Sequence, residues 1–352
     1  MSRGRTSIGS HLSSYPYGYR SPENPDVLDS PFDSCPSFLP SRQNSCFAFS
    51  MVLGMKKKVL LIGNPIAGRG RSEQLIREFV ELLERKGYQI ETFFTESAGD
   101  ANRRARQIEP NVGMLVVAGG DGTLNEVLNG LPNPSLIPMA LLPTGTANIL
   151  AHDLALPNQP VAVAQAVEEG CVRWLDMCLA GDRRFLMLVS AGLDAMVTEE
   201  VRRRRGRALG YCGYFLPVLK VLSRYNAPSL RVTVDEYESL QGGFVLVSNT
   251  RNYGGIFTFA DRARCDSGHL DVCVFPKGSF PYLVWYYLAA LRGRVSRETN
   301  VTYLTGRRVR IESEEPVPVQ VDGDPYGTTP ILVELVPSAI PMVVPQTPLD
   351  PR

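Results

Sequence analysis

An acid embedded in a glycine turn constrains this 352-residue chain more than any other feature. Gly119-Gly120-Asp121-Gly122-Thr123-Leu124-Asn125-Glu126 follows an apolar run over residues 112–118. It precedes Leu124, Val127, Leu128 and Leu131 at helical spacing. The pattern predicts a buried strand, a tight turn and a helix. Glycines let a backbone come close to a ligand, and the first turn of a helix offers unpaired N–H groups and a partial positive charge. That combination suits phosphate. A carboxylate in the same place repels phosphate. Asp121 therefore either caps the turn or serves the chemistry, by holding Mg2+, orienting a hydroxyl or taking its proton.

Two further loops share the pattern. The apolar run at residues 58–62 leads into Gly63-Asn64-Pro65-Ile66-Ala67-Gly68-Arg69-Gly70-Arg71, and a helical pattern follows (Leu75, Phe79, Leu82, Leu83). The run at residues 139–142 leads into Pro143-Thr144-Gly145-Thr146-Ala147-Asn148. In an open α/β sheet, loops of this kind gather at the carboxyl ends of parallel strands, where ligands bind. The backbone of residues 64–68 and 119–123 would cradle phosphates, with Arg69 or Arg71 adding bidentate charge.

The ordered set Asn64-Pro65-x-x-Gly68, Thr95-Glu96-x-x-Gly99-Asp100-Ala101, Gly119-Gly120-Asp121-Gly122-Thr123-x-Asn125-Glu126 and Pro143-x-Gly145-Thr146-Ala147-Asn148 resembles the diacylglycerol kinase catalytic-domain superfamily. That group includes soluble bacterial diacylglycerol kinases and the sphingosine and ceramide kinases. The resemblance continues through Gly192-Leu193-Asp194-Ala195, Tyr253-Gly254-Gly255, Asp266-Ser267-Gly268 and Val321-Asp322-Gly323-Asp324, covering residues 56–345. Gly-Gly-Asp-Gly alone is shared with NAD kinases and phosphofructokinases.

The resemblance implies an ATP- and Mg2+-dependent lipid kinase. It places Asn64, Pro65, Ile66, Ala67, Gly68, Arg69, Thr95, Gly119, Gly120, Asp121, Gly122, Thr123, Asn125, Glu126, Gly145 and Thr146 around the nucleotide. The proton acceptor for the lipid hydroxyl is implied at Asp324, where family members usually carry Glu; Asp121 and Asp322 share the candidacy. Read on its own, Asp322-Gly323-Asp324 is also an ordinary hairpin turn. Asp266 and Asp121 are the metal candidates, and Ser267 stands where soluble bacterial members often have a second acid. Diacylglycerol is the first acceptor implied, with a sphingoid, ceramide or other acyl lipid as the alternative. An NAD kinase-like enzyme and a nucleotide- or lipid-binding regulator without turnover remain the competing classes.

Composition fits a globular protein, with 44% hydrophobic and 21% charged residues. A net charge of +1 gives no global field toward nucleic acid, and none is expected as a partner. The seven cysteines show no Cys-x-x-Cys spacing and read as reduced thiols, with Cys178 and Cys273 as strand fillers. No apolar stretch reaches the roughly 20 residues that span a bilayer. The expectation is a cytoplasmic protein, peripheral at the inner membrane face, that touches an anionic surface. Two elements would contact that surface: Arg202–Arg205 with an apolar helix over residues 208–224, and a helix over residues 280–294. A homodimer is left open.

Three regions are expected. Residues 1–54, rich in Ser, Pro, Tyr and Gly, read as a disordered tail or an upstream mis-called start before Met55. Residues 56–172, rejoined by 338–346, alternate strand and helix patterns and predict a doubly wound α/β domain. Residues 173–337 carry short strands between turns and predict an antiparallel β-sandwich that takes the lipid. Those strands include residues 174–179, 184–189, 230–234, 243–247, 270–275, 309–311 and 317–321.

Overall fold

The computed structural model describes residues 58–132, 134, 137–204, 221, 223, 225–235 and 239–346. The expected tail, Arg205 and nearly all of the expected 208–224 helix lie outside them.

The first half alternates as predicted: β1 (Lys58–Gly63), α1 (Ala67–Gly70), α2 (Ser72–Arg85), β2 (Gln89–Phe94), α3 (Asp100–Arg106), β3 (Met114–Gly119), α4 (Asp121–Gly130), β4 (Met139–Pro143), α5 (Ile149–Asp153) and α6 (Pro160–Glu169). The strands are parallel in the order β2-β1-β3-β4. β3 and β4 are buried throughout, as strands covered on both faces must be. Successive side chains of β1 alternate between two cores. Val59 and Leu61 pack with Ile76, Phe79 and Leu83 of α2 and with Val163 of α6. Leu60 and Ile62 pack with Ala101 and Ala105 of α3 and with Leu124, Val127 and Leu128 of α4. The chain moves outward from β1 to β2 and then returns past β1 to β3, so a switch point lies between β1 and β3.

The second half contains β5 (Cys171–Ala180), β6 (Arg183–Phe185), β7 (Leu188–Ala191), α7 (Leu193–Arg204), β8 (Leu230–Val234), β9 (Leu240–Gly242), β10 (Phe244–Ser248), β11 (Leu270–Phe275), α8 (Phe280–Leu291), β12 (Thr302–Gly306), β13 (Arg308–Ser313), β14 (Pro318–Val321), β15 (Asp324–Thr328) and β16 (Ile331–Val344). One antiparallel sheet runs β12-β11-β10-β7-β14-β15. It faces β16, β13 and β8 across a core of aliphatic residues that includes Val189, Val247, Val272, Val309 and Val319. The fold is thus a doubly wound α/β domain followed by a β-sandwich.

β5 and β16 join the two halves. They pair antiparallel from Cys171↔Val344 to Ala180↔Val333, with a bulge between Val336 and Ile340. Near its end β16 also pairs with β4, at Met342↔Met139, so the last strand extends the parallel sheet. Asp153, at the end of α5, accepts the backbone N–H groups of Arg251 (3.1 Å) and Asn252 (3.2 Å) from the sandwich.

One expected strand is divided. Residues 184–189 form not a continuous strand but the end of β6 and the start of β7. The N–H groups of Leu186, Met187 and Leu188 leave the ladder and turn onto one carboxylate, that of Asp322. The four described cysteines, Cys171, Cys178, Cys265 and Cys273, are buried.

Candidate active site at the strand ends

The three glycine loops meet. Asn64 N–H donates to Ala118 O (2.8 Å), while Thr144 N–H (3.0 Å) and Gly145 N–H (3.2 Å) both donate to Gly119 O. Gly68 lies at φ +57°, and a Cβ there would stand 2.2 Å from Thr144 O. A Cβ on Gly145 would stand 2.4 Å from Gly120 Cα. No side chain fits between these backbones, which is why the loops need glycine at these points. Ser72 Oγ and Thr144 Oγ1, 2.7 Å apart, tie the start of α2 to the third loop. Thr95 is held at the same end of the sheet by its N–H to Gly63 O (2.9 Å).

Gly120 precedes α4, whose first turn holds Asp121, Gly122 and Thr123. Asp121 is a bridge as well as a loop acid. Its Oδ2 accepts Ile149 N–H (3.0 Å) and its Oδ1 accepts Leu150 N–H at a longer 3.5 Å, both from the first turn of α5. Burial raises its pKa above the usual carboxylate value, against the lowering effect of those hydrogen bonds. Ile66 is exposed in the first loop, Glu126 is half-buried on α4, and Thr146 is exposed in the third loop. A buried acceptor in that loop, Asn148 Oδ1, has no hydrogen-bond partner.

About one helical turn along α4 from Asp121, Asn125 reaches the sandwich. Its Nδ2 donates to Asp322 Oδ2 (3.0 Å). Asp322 and Gly323, at φ +49° and +81°, form the two-residue turn between β14 and β15, so the hairpin reading and the site reading describe the same residues. The Asp322 carboxylate also accepts Leu186 (3.2 Å), Met187 (3.1 Å) and Leu188 (2.9 Å) N–H groups. Burial pushes its pKa up to about 6 despite those donors. Its oxygens are therefore committed to holding the turn.

Asp324 is the acid that the turn presents. Its side chain is 44% exposed and pairs with Arg183 Nη2 at 3.1 Å. The same Arg183 nitrogen donates to Asn125 Oδ1 (3.2 Å), so α4, β6 and the hairpin share one polar cluster. Beneath it, Gln320 Oε1 accepts Gly323 N–H (2.7 Å), while Gln320 Nε2 donates to Ser190 Oγ and Asp194 Oδ2 (both 2.9 Å). Asp194 is buried, also accepts Ser190 and Tyr253 hydroxyls, and has its pKa raised by that burial.

Arg183 and Gln320 are site residues that sequence reasoning missed. Arg183 follows a Gly-Asp turn and carries no motif, and its partners lie 58 and 141 residues away. Nothing is described of the side chains of Arg69 and Arg202–Arg204.

Asp266, expected as a metal candidate, pairs with two arginines. Its carboxylate is occupied by Arg173 Nε (2.8 Å) and Nη2 (2.7 Å) and by Arg264 Nε (3.2 Å). Burial raises its pKa, but the guanidinium hydrogen bonds overcome that and leave it below the usual value. Among the described residues no group of three or more His, Cys, Asp or Glu is arranged to hold a metal ion. Asp121 and Asp324 are separate single carboxylates, which suits a Mg2+ that arrives with phosphates and takes one protein oxygen and water.

The site thus combines a phosphate-type cradle on an α/β domain with an acid hairpin from a β-sandwich, the plan of a two-domain phosphotransferase. The diacylglycerol kinase catalytic domain model matches residues 58–180, and the YegS C-terminal NAD kinase beta sandwich-like domain model matches residues 187–344. The diacylglycerol kinases of Staphylococcus saprophyticus and Bacillus subtilis are 27% and 28% identical over 280 and 283 residues, covering 78% of this chain and 92% of each relative. A Bacillus anthracis crystal structure provisionally described as a diacylglycerol kinase superposes with a TM-score of 0.71 at 26% identity, covering 84% of this chain and 97% of that one. The chain belongs to the diacylglycerol kinase catalytic-domain superfamily.

Proposed function

We propose that this protein transfers the γ-phosphate of ATP to the free 3-hydroxyl of diacylglycerol, giving phosphatidic acid and ADP. One observation carries the reading: a half-exposed acid, Asp324, is fixed through Arg183 to Asn125, on the helix whose first turn closes the glycine cradle.

The N–H groups of the first turn of α4 and the loops at residues 64–68 and 143–148 bind the triphosphate. Asp121 or Asp324 would supply a protein oxygen to Mg2+ arriving with ATP, and the ion would supply charge neutralisation at the transferring phosphoryl group. Asp324 takes the proton of the lipid hydroxyl as its oxygen attacks the γ-phosphorus and the bond to ADP breaks. Arg183 orients that carboxylate and lies near the developing negative charge. Asp322 holds the turn rather than reacting. The lipid acceptor puts the working enzyme against a membrane, at the cytoplasmic face where ATP is found.

Incubation of purified protein with labelled ATP, Mg2+, a panel of lipids in detergent micelles and NAD tests the reading. Label in phosphatidic acid is expected. Label only in a sphingoid or ceramide phosphate would keep the kinase and replace the acceptor. Label in NADP, or ATP binding without any product, would overturn the proposal.

A further inference from the structure

α8 is apolar on both faces, and among the described residues only one face has a partner. Leu283, Tyr286, Ala289 and Ala290 are buried against Phe244, Phe259 and Phe275 on the outer side of the sandwich. The other face leaves Phe280 42%, Trp285 51%, Leu288 38% and Leu291 53% exposed. Trp285, Leu288 and Leu291 follow at intervals of three, so they form one stripe along the helix. A helix apolar all round is ordinarily buried all round, and a contiguous exposed stripe of this kind marks an interaction surface.

The charges around the stripe select its occupant. Lys277 precedes α8, and Arg292, Arg294 and Arg297 follow it, all exposed. The one acid in this stretch, Glu298, already accepts Trp285 Nε1–H (2.7 Å). A second copy of the chain meeting the stripe about a two-fold axis would bring like charges together. A bilayer of anionic headgroups meets both features: acyl chains take the apolar side chains, headgroups take the basic ones, and Trp suits the boundary.

We propose that the exposed face of α8 is the element that docks this protein on an anionic lipid bilayer, with Trp285, Leu288 and Leu291 entering the headgroup–acyl boundary and Lys277, Arg292 and Arg294 at the phosphates. The proposal rests on the lipid-kinase reading for its purpose and not for its test. α8 would hold the enzyme at the surface that carries its acceptor lipid.

The chain has only two tryptophans, so Trp174→Phe makes Trp285 the sole reporter. Vesicles of phosphatidylglycerol and phosphatidylcholine should shift its emission to the blue, and brominated acyl chains should quench it. Phosphatidylcholine vesicles alone should do so weakly. In the otherwise native full chain, L288E/L291E should lower co-sedimentation with the anionic vesicles at least tenfold. R292Q/R294Q should lower it by roughly fivefold per charge. Unshifted emission, or co-sedimentation unchanged in L288E/L291E, overturns the proposal. Concentration-dependent dimerisation that L288E/L291E abolishes overturns it in favour of a subunit interface. Phosphorylation of monomeric dihexanoylglycerol, measured without vesicles, serves as a separate control. Its retention in L288E/L291E shows an intact fold, whereas its absence in the unaltered protein counts against the kinase reading and leaves vesicle binding to judge α8.

Discussion

Arg183 Nη2 lies 3.1 Å from Asp324 Oδ2. The arginine side chain is 22% exposed and the acid 44%, so the pair contributes little stability, on the order of 0–1 kcal/mol. Its value is in orientation. Arg183→Met should therefore leave thermal stability nearly unchanged while lowering kcat by about ten- to a hundredfold, a transition-state loss of roughly 1.4–2.7 kcal/mol. Steady-state kinetics beside a melting curve check this. An unchanged kcat would remove Arg183 from the machinery.

Asp322 makes stability depend on pH. Its folded pKa is pushed up from 3.8 to about 6, so the folded protein holds this proton more tightly than the unfolded chain does. The contribution to stability is full below the unfolded value and is lost as pH rises through the folded value. Between those limits the slope approaches about 1.4 kcal/mol per pH unit. Chemical unfolding of the native protein and of Asp322→Asn at pH 4 to 6.5 should show this extra downward slope only in the native protein. Parallel curves would contradict the assignment.

How much of this was legible in the sequence follows from the range of the forces involved. The three loops were readable because glycine spacing and apolar runs are local signals, and β1, β3 and β4 bear them out. The Asp322-Gly323 turn was readable because αL geometry favours those residues. The split of residues 184–189 was not, since the carboxylate that takes Leu186–Leu188 N–H is more than 130 residues away. The arginine pairing of Asp266 was not legible for the same reason: Arg173, 93 residues earlier, is invisible from the local motif. Of β16 only the last residues were recognised, because Pro337 and Pro341 disguise a strand that survives them through a bulge.

The loop crossing at Gly120 and Gly145 gives a third expectation. Gly145→Ala sets a Cβ 2.4 Å from Gly120 Cα and 3.0 Å from Gly120 N, backbone atoms that cannot swing aside as a side chain can. Overpacking of this kind costs about 1–3 kcal/mol. The melting temperature should fall and ATP affinity, measured by calorimetry, should fall with it. Normal ATP binding by Gly145→Ala would place the phosphates elsewhere.

Gln320 is 1% exposed and links Gly323 N–H to the buried Asp194. Gln320→Met keeps the volume and removes every hydrogen bond. A buried group left unpaired costs about 1–3 kcal/mol, and the hairpin carrying Asp324 loses its anchor. The expected kinetic signature is a lower kcat at little-changed KM for ATP. Equal loss in both would point to general unfolding instead.

Asp266→Asn separates structure from metal binding. Loss of the pair with Arg173 and Arg264 should lower stability by about 1 kcal/mol or less. The Mg2+ concentration giving half-maximal rate should not move. A several-fold increase in that concentration would return Asp266 to the metal site.

On the proposed mechanism Asp324 accepts the proton of a lipid hydroxyl during phosphoryl transfer from ATP. The direct measurement is transfer of labelled γ-phosphate to diacylglycerol by the native protein and by Asp324→Asn, with ATP affinity measured on both. Labelled phosphatidic acid from the native protein is predicted, with turnover about 10²–10⁴-fold lower in Asp324→Asn and ATP affinity retained. Undiminished transfer by Asp324→Asn, or none by the native protein, would contradict it.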